Sequence, residues 1–207
     1  MIKEACVETY EESLSAIKNG ADQLEVCSHM ELDGLTPDKN LIKKLISTSD
    51  IPIKVMIRSR GGSFIYSKHE ISEMVKTIKW FKKLPISGFV FGALKLDAQG
   101  NSIIDTHALK KICNTAAPFP VTFHKAIDLC ANITEEAEKL KVFSNIRFIL
   151  TSGGQSTAEE GANTLIKMKH TVSPNIHIIA AGKVTTQNLE GLRERLGFEY
   201  FHGRSIV

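Results

Sequence analysis

Short runs rich in β-branched and aromatic residues alternate along this chain with longer amphipathic stretches, the pattern of parallel strands joined by crossover helices. It predicts eight strands, over 2–7, 22–27, 53–58, 88–92, 121–124, 147–151, 176–180 and 199–202. Helices are predicted near 9–19, 37–48, 68–84, 105–116, 134–144, 156–171 and 185–196. Thr36-Pro37-Asp38 and Ser67-Lys68-His69-Glu70 carry side chains that cap helix starts. Asn19-Gly20 and Leu196-Gly197 supply the glycine through which a helix ends in a left-handed residue.

Eight strands alternating with seven helices define an α/β chain. The unbroken series points to a (β/α)8 TIM barrel, although a doubly wound open sheet shows the same alternation. With 207 residues the chain suits one domain over 1–207 rather than two. The last predicted strand ends at 202 and the sequence at 207, so a short version lacking a full eighth helix is expected. Strand eight would then expose apolar surface, which usually marks association, and a homodimer is the expectation. Tilting of the first and seventh helices over the gap is the alternative.

Composition narrows the partners. Twenty-six Lys and Arg against 23 Asp and Glu give a formal charge of +3, short of the clustered excess of a nucleic-acid binder. No apolar run approaches the roughly 18 residues of a membrane span, and Glu4 sits where a signal peptide would be apolar. The four cysteines, at 6, 27, 113 and 130, form no CxxC pair and fit a reducing compartment. A cytoplasmic protein without membrane or nucleic-acid partners is expected.

Candidate chemistry lies on the strands. Side chains alternate, so Glu4, Cys6 and Glu8 share a face of the first strand, and Gln23, Glu25 and Cys27 share a face of the second. Buried carboxylates need partners. Arg58 and Arg60, at the carboxyl end of the third strand, are expected either to pair with Glu4 and Glu25 or to clamp an anionic ligand beside Gly61-Gly62. The fifth strand ends in His124, with Asp128 four residues on, and convergence with the other polar groups at one barrel mouth points to a site. Lys125, a conceivable Schiff-base amine, has the opposite parity to His124 and is expected to point away from the lumen. Ser152-Gly153-Gly154, Ala181-Gly182-Lys183 and Gly203-Arg204-Ser205 either cradle an anion or make tight turns.

Cys6 and Cys27 have matching parity on neighbouring strands, and a strand spacing of roughly 4.8 Å would bring their sulfurs close. Two core cysteines are the plain reading. A thiolate pair of the kind Cu(I) favours is the other, whereas zinc would call for about four N or S ligands. Cys113, Cys130, Trp80 and Phe81 read as structural, and His29, His69, His107, His170 and His177 lack the spacing of a helix-borne metal site.

Several segments together resemble the CutC copper-homeostasis family over nearly the whole chain. They are Glu4-Ala5-Cys6, the run from Asn19 to Cys27, Gly34-Leu35-Thr36-Pro37, Ile57-Arg58-Ser59-Arg60-Gly61-Gly62, the run from Val121 to Asp128, and Ile149-Leu150-Thr151-Ser152-Gly153. The resemblance implies a cytoplasmic, dimeric barrel connected with copper handling, with Cys6 and Cys27 matching the cysteines proposed to hold Cu(I). Ser59 stands where the family usually has proline, and Ala181-Gly182-Lys183 where a more glycine-rich turn is common. Longer relatives carry an additional carboxyl-terminal segment.

Two functions follow as expectations. One is copper handling through Cys6 and Cys27. The other is an enzyme acting on a small phosphate- or carboxylate-bearing metabolite, with Glu25 and His124 sharing acid and base work. In it Arg58 and Arg60 clamp the anion, and Glu4, Asp128, Ser152, Gly153 and Gly182 line the substrate site. A third reading makes the strand-eight region a surface for recruiting another protein.

Overall fold

A computed structural model describes residues 1–207. The chain runs β1 (Ile2–Val7), α1 (Tyr10–Lys18), β2 (Gln23–Val26), α2 (Lys39–Thr48), β3 (Ile53–Met56), α3 (Lys68–Phe81) and β4 (Gly88–Phe91). A hairpin of β5 (Leu94–Leu96) and β6 (Ser102–Ile104) follows, then α4 (Thr106–Ala116), β7 (Val121–Phe123), α5 (Ile133–Lys139) and β8 (Ile146–Thr151). The series ends with α6 (Ala162–Val172), β9 (His177–Ala180), α7 (Leu189–Leu196) and β10 (Tyr200–Gly203). Eight parallel strands close a barrel in the order β1-β10-β9-β8-β7-β4-β3-β2, and β5-β6 stand apart. This is a TIM-barrel-like α/β fold with seven helices. No helix is long and apolar enough to cross a membrane.

Local chemistry sets the helix starts. Thr9 with Glu12 and Ser67 with Glu70 form reciprocal capping boxes on α1 and α3. Asp38, not Thr36, caps α2, because the Thr36 hydroxyl is bonded to the Arg58 backbone. The β5-β6 hairpin was not expected; its three-residue strands are too short for a period to register. Helix α6 starts later than predicted because residues 152–161 fold back on the barrel top. There a Cβ on Gly161 would lie 1.8 Å from the Ser152 carbonyl oxygen.

Alternation along the strands separates two kinds of interior. Outward residues such as Leu24, Val55, Phe89, Phe123, Ile149 and Phe201 join the helices in one 50-residue apolar cluster. Each large side chain buried there contributes on the order of 1.5–3 kcal/mol. Inward residues form two small apolar groups, Leu150-Ile179-Ala181 and Cys6-Cys27-Met56-Val90. Against them lie the buried polar residues Glu4, Gln23, Glu25 and Lys54.

The expected bare patch around the last strand is not there. Phe201 and Ile206 are buried in the main cluster, and the tail is held by Thr186, whose N–H donates to the Ser205 carbonyl at 3.0 Å. Where an eighth helix would lie, a groove lined by Val7, Glu12, Ala16, Asn19, Arg204 and Val207, among others, separates α1 from the tail. An Arg204–Glu12 ion pair at 3.5 Å crosses it. The groove there mixes apolar with polar groups.

Register places Glu4 beside Gln23 on one side and His202 on the other. Lys54 Nζ lies 2.7 Å from Glu4 Oε2 with both groups buried, and it also sits 4.1 Å from the centre of the Phe148 ring. Replacing Lys54 by Met removes the cation and strands the carboxylate. We expect Lys54→Met to cost about 3 kcal/mol, the low end for a broken buried pair because His202 and Gln23 still face Glu4. Urea unfolding measures it; a loss below about 1 kcal/mol would show that the ion pair is not what holds the carboxylate.

Candidate functional site

The carboxyl ends of the strands surround a cavity of about 480 Å³ lined by Cys6, Glu25, Cys27, Met30, Met56, His124, Lys125, Asp128 and His202, among others. Cys6 faces Glu25 in the β1–β2 register, and Cys27, two residues beyond Glu25, takes the same face. The Cys6 and Cys27 sulfurs are 4.0 Å apart. Cys27 also donates to Glu25 Oε1 at 3.6 Å, and Met30 Sδ lies 3.8 Å from Cys6 Sγ.

The two sulfurs influence each other's protonation. The hydrogen bond from Cys27, helped by His202, brings Cys6 down to about 5 despite its burial, while the same bond and burial raise Cys27 well above the ordinary thiol value. Burial pushes Glu25 up to about 8, against the pull of His202, and leaves its Oε2 without a hydrogen-bond partner. His202 Nδ1 is 3.0 Å from Glu4 Oε1. Burial opposes a charge on His202, but Glu25, Cys6 and Glu4 together raise it well above the usual imidazole value. For Glu4, burial is likewise outweighed, by Lys54 and His202, and the carboxyl falls to about 2.

His124 ends β7 on the opposite wall. Its Nδ1 accepts from the Ala126 N–H at 3.2 Å, so the neutral ring carries its proton on Nε2, which has no partner. Burial, and then the Arg58 charge, lower His124 to about 3. Gly92 makes room for the ring: a Cβ there would lie 2.5 Å from Nδ1.

The arginines do not pair with Glu4 or Glu25. Arg58 Nη1 donates to the carbonyls of Leu32, Asp33 and Gly34 at 2.7, 3.2 and 3.3 Å, and Nη2 to Gly62 at 2.9 Å. Its guanidinium lies 4.5 Å from the Phe64 ring centre. Arg60 Nε donates to Glu70 at 2.5 Å, and its other nitrogens to the carbonyls of Gly61, Ser63 and Ile65. Strand β3 ends at Met56, so strand parity does not carry through to Arg60. Lys54, one turn of the pleat below, takes the place beside Glu4 that the arginines were expected to fill.

Of the three glycine turns, the one at Ser152-Gly153-Gly154 is met from within. Asp128 accepts from Ser152 N–H at 3.1 Å and from Gly154 N–H at 2.9 Å, and from the Thr151 hydroxyl. Gly153 N–H donates to the Thr151 hydroxyl oxygen at 2.9 Å. Gly182, at φ +100°, belongs to a close turn in which a Cβ would lie 2.8 Å from that of Ser152. Lys125 was expected to face away, yet it lines the cavity and bonds Asp128 at 2.6 Å and Ser152. It sits in a 3-10 turn, Lys125–Leu129, where strand alternation no longer applies.

Cys6, Cys27, Glu25, His124 and Asp128 thus meet at one cavity. Glu4 lies beneath it, Arg58 and Arg60 brace its loops, and Ser152, Gly153 and Gly182 shape its rim. Sequence reasoning passed over Met30, Lys54 and His202. Shared inward parity, of Lys54 with Arg58 and of His202 with Tyr200, was the available signal for the last two; nothing in the periodicity marked Met30.

A closed barrel of parallel strands with a sulfur-lined, titratable chamber at their carboxyl ends is the class of protein defined here. The CutC family model matches residues 1–207, and the chain belongs to the CutC family. It is 34% identical over 205 residues to the Caenorhabditis elegans copper homeostasis protein cutC homolog, covering 99% of this chain and 80% of that protein. The Homo sapiens protein of the same description is 34% identical over 201 residues, covering 97% and 72%. The crystal structure of the putative copper homeostasis protein CutC from Streptococcus agalactiae superposes over 100% of both chains with a TM-score of 0.90 at 24% identity. A dihydrodipicolinate synthase from Bacillus anthracis shares the fold at TM-score 0.69 and 14% identity, over 98% of this chain and 69% of that one.

The raised Glu25 value fixes the sign of a pH effect. The folded state holds that proton more tightly than the unfolded chain, so its contribution to stability is complete below about 4.5 and lost as pH rises through about 8. Glu25→Gln is expected to flatten the decline in urea midpoint across that window. An unchanged slope would place the Glu25 proton elsewhere. Glu4 and His124, both lowered, act on the acid side, where stability is lost as pH falls toward 2 and 3 respectively.

Proposed function

We propose that this chain handles Cu(I) in the reducing cytoplasm, holding the ion between Cys6 and Cys27. The observation that carries the reading is the pair of buried sulfurs 4.0 Å apart at the inner end of a cavity. Thiolates suit a soft ion better than the carboxylates and imidazoles around them. A Cys6 thiolate is already favoured, and protonated His202 offsets the net negative charge of two thiolates around one Cu(I). The worm and human relatives described as copper homeostasis proteins support the same reading.

Anaerobic titration tests it. We expect about one Cu(I) per chain, lost in the double variant Cys6→Ser/Cys27→Ser and kept in His124→Ala. Full copper stoichiometry in the double serine variant would overturn the assignment.

A second reading has one observation behind it. Glu25 Oε2 and His124 Nε2, two of the buried atoms without hydrogen-bond partners, belong to residues that line this cavity. Such atoms suit a small metabolite whose oxygens accept from His124 and meet the Glu25 carboxyl, with proton transfer as the reaction type. A thermal-shift screen of small carboxylic acids and phosphorylated sugars is expected to give a hit that His124→Phe abolishes. A hit untouched by that substitution, or none, counts against catalysis.

A further inference from the structure

Two thiols alone would hold Cu(I) in a line, for which the 4.0 Å spacing of the Cys6 and Cys27 sulfurs is short. Resting on the Cys6–Cys27 reading, we propose that the Met30 thioether is a third ligand, making an all-sulfur trigonal site for a monovalent soft ion. With metal–sulfur bonds of roughly 2.3 Å, the sulfurs of a linear pair stand about 4.6 Å apart, and those of a trigonal set about 4 Å apart. The observed separations, 4.0 Å between the thiols and 3.8 Å from Cys6 to Met30, lie nearer the trigonal spacing than the linear one.

The loop after β2 is built to bring that thioether back over the strand ends. His29 and Asp33 adopt left-handed backbone, at φ 51° and 63°, on either side of the turn Met30–Leu32. Residues with a side chain take that conformation less readily than glycine. Arg58 offsets this preference by binding three successive carbonyls, of Leu32, Asp33 and Gly34. Gly34 then packs against both sulfurs: a Cβ there would lie 3.3 Å from Cys27 Sγ and 3.6 Å from Met30 Sδ.

Donor chemistry selects Met30 over its rivals. Glu25 offers a hard oxygen to a soft ion. His202, braced at Nδ1 by Glu4, has only its other ring nitrogen to offer, a harder donor than a thioether. Met30 needs to lose no proton, its sulfur is polarizable, and its flexible side chain can follow the ion. It is half-buried where the two cysteines are buried, so it stands on the solvent side as the ligand an ion meets first on entry.

The test is competition for Cu(I) against a chromophoric chelator, under reducing anaerobic conditions, with copper-edge X-ray absorption on the loaded protein. Met30→Leu nearly conserves volume and keeps the fold. Its affinity is expected to drop about tenfold or more, with stoichiometry retained and sulfur coordination falling from three to two. Two sulfurs in the parent protein and unchanged affinity in Met30→Leu would overturn the third ligand while leaving the cysteine pair intact. Copper retained by Cys6→Ser/Cys27→Ser would instead overturn the pair, and with it this inference. Selenomethionine labelling gives a second readout: a selenium neighbour of copper, absent in Met30→Leu, is expected, and its absence from the parent protein counts against the proposal.

Discussion

A charge inside a closed barrel must be answered within the barrel, and the Glu4 carboxylate sets the terms here. Lys54, Gln23 and His202 meet it from three strands, β3, β2 and β10. This cross-brace joins β10 to its neighbours near the point where the sheet closes on itself. It also charges His202, and through His202 the effect reaches Cys6 and Glu25. The reactive state of the sulfur pair is in this sense set from below, by an ion pair that never touches the cavity wall.

Arg58 plays the corresponding part above. A side chain with five donors and no acceptor can gather several carbonyls at once, and this one ties the loop after β2 to the loop after β3. Its charge lowers His124 as well. One residue therefore braces the loop that carries Met30 and adds to the burial that keeps the histidine across the chamber neutral. Loss of that arginine would disturb both walls together, so its effects could not be read as those of a ligand contact.

The barrel was legible because its strands are short apolar runs separated by well-capped helices, and each signal agrees with the others. The nearness of Cys6 and Cys27 was legible too, since parallel register and alternation are enough to bring the two residues together. Reasoning by alternation failed where the strands had already ended. Arg60 and Lys125 lie beyond Met56 and Phe123, in turns that aim side chains by backbone dihedrals instead of by pleat. The arginines drew attention as charges near carboxylates, but they bind carbonyls, which no count of charge reveals. Met30 was hidden for the same kind of reason: its position follows from two left-handed residues and a distant guanidinium.

The Asp128 carboxylate seated in the amides of Ser152 and Gly154 carries a consequence for selectivity. Barrels of this architecture commonly grip a phosphoryl group with the loops after their seventh and eighth strands, here β9 and β10, and this turn follows the sixth, β8. Its donors are pre-empted by the protein's own negative charge, which acts as an internal competitor tethered at high effective concentration. An anionic guest arriving at that rim would find these two amides taken and the Asp128 charge already answered by Lys125. The turn after β8 thus carries its own anion, and a guest's negative charge would have to be met elsewhere on the rim.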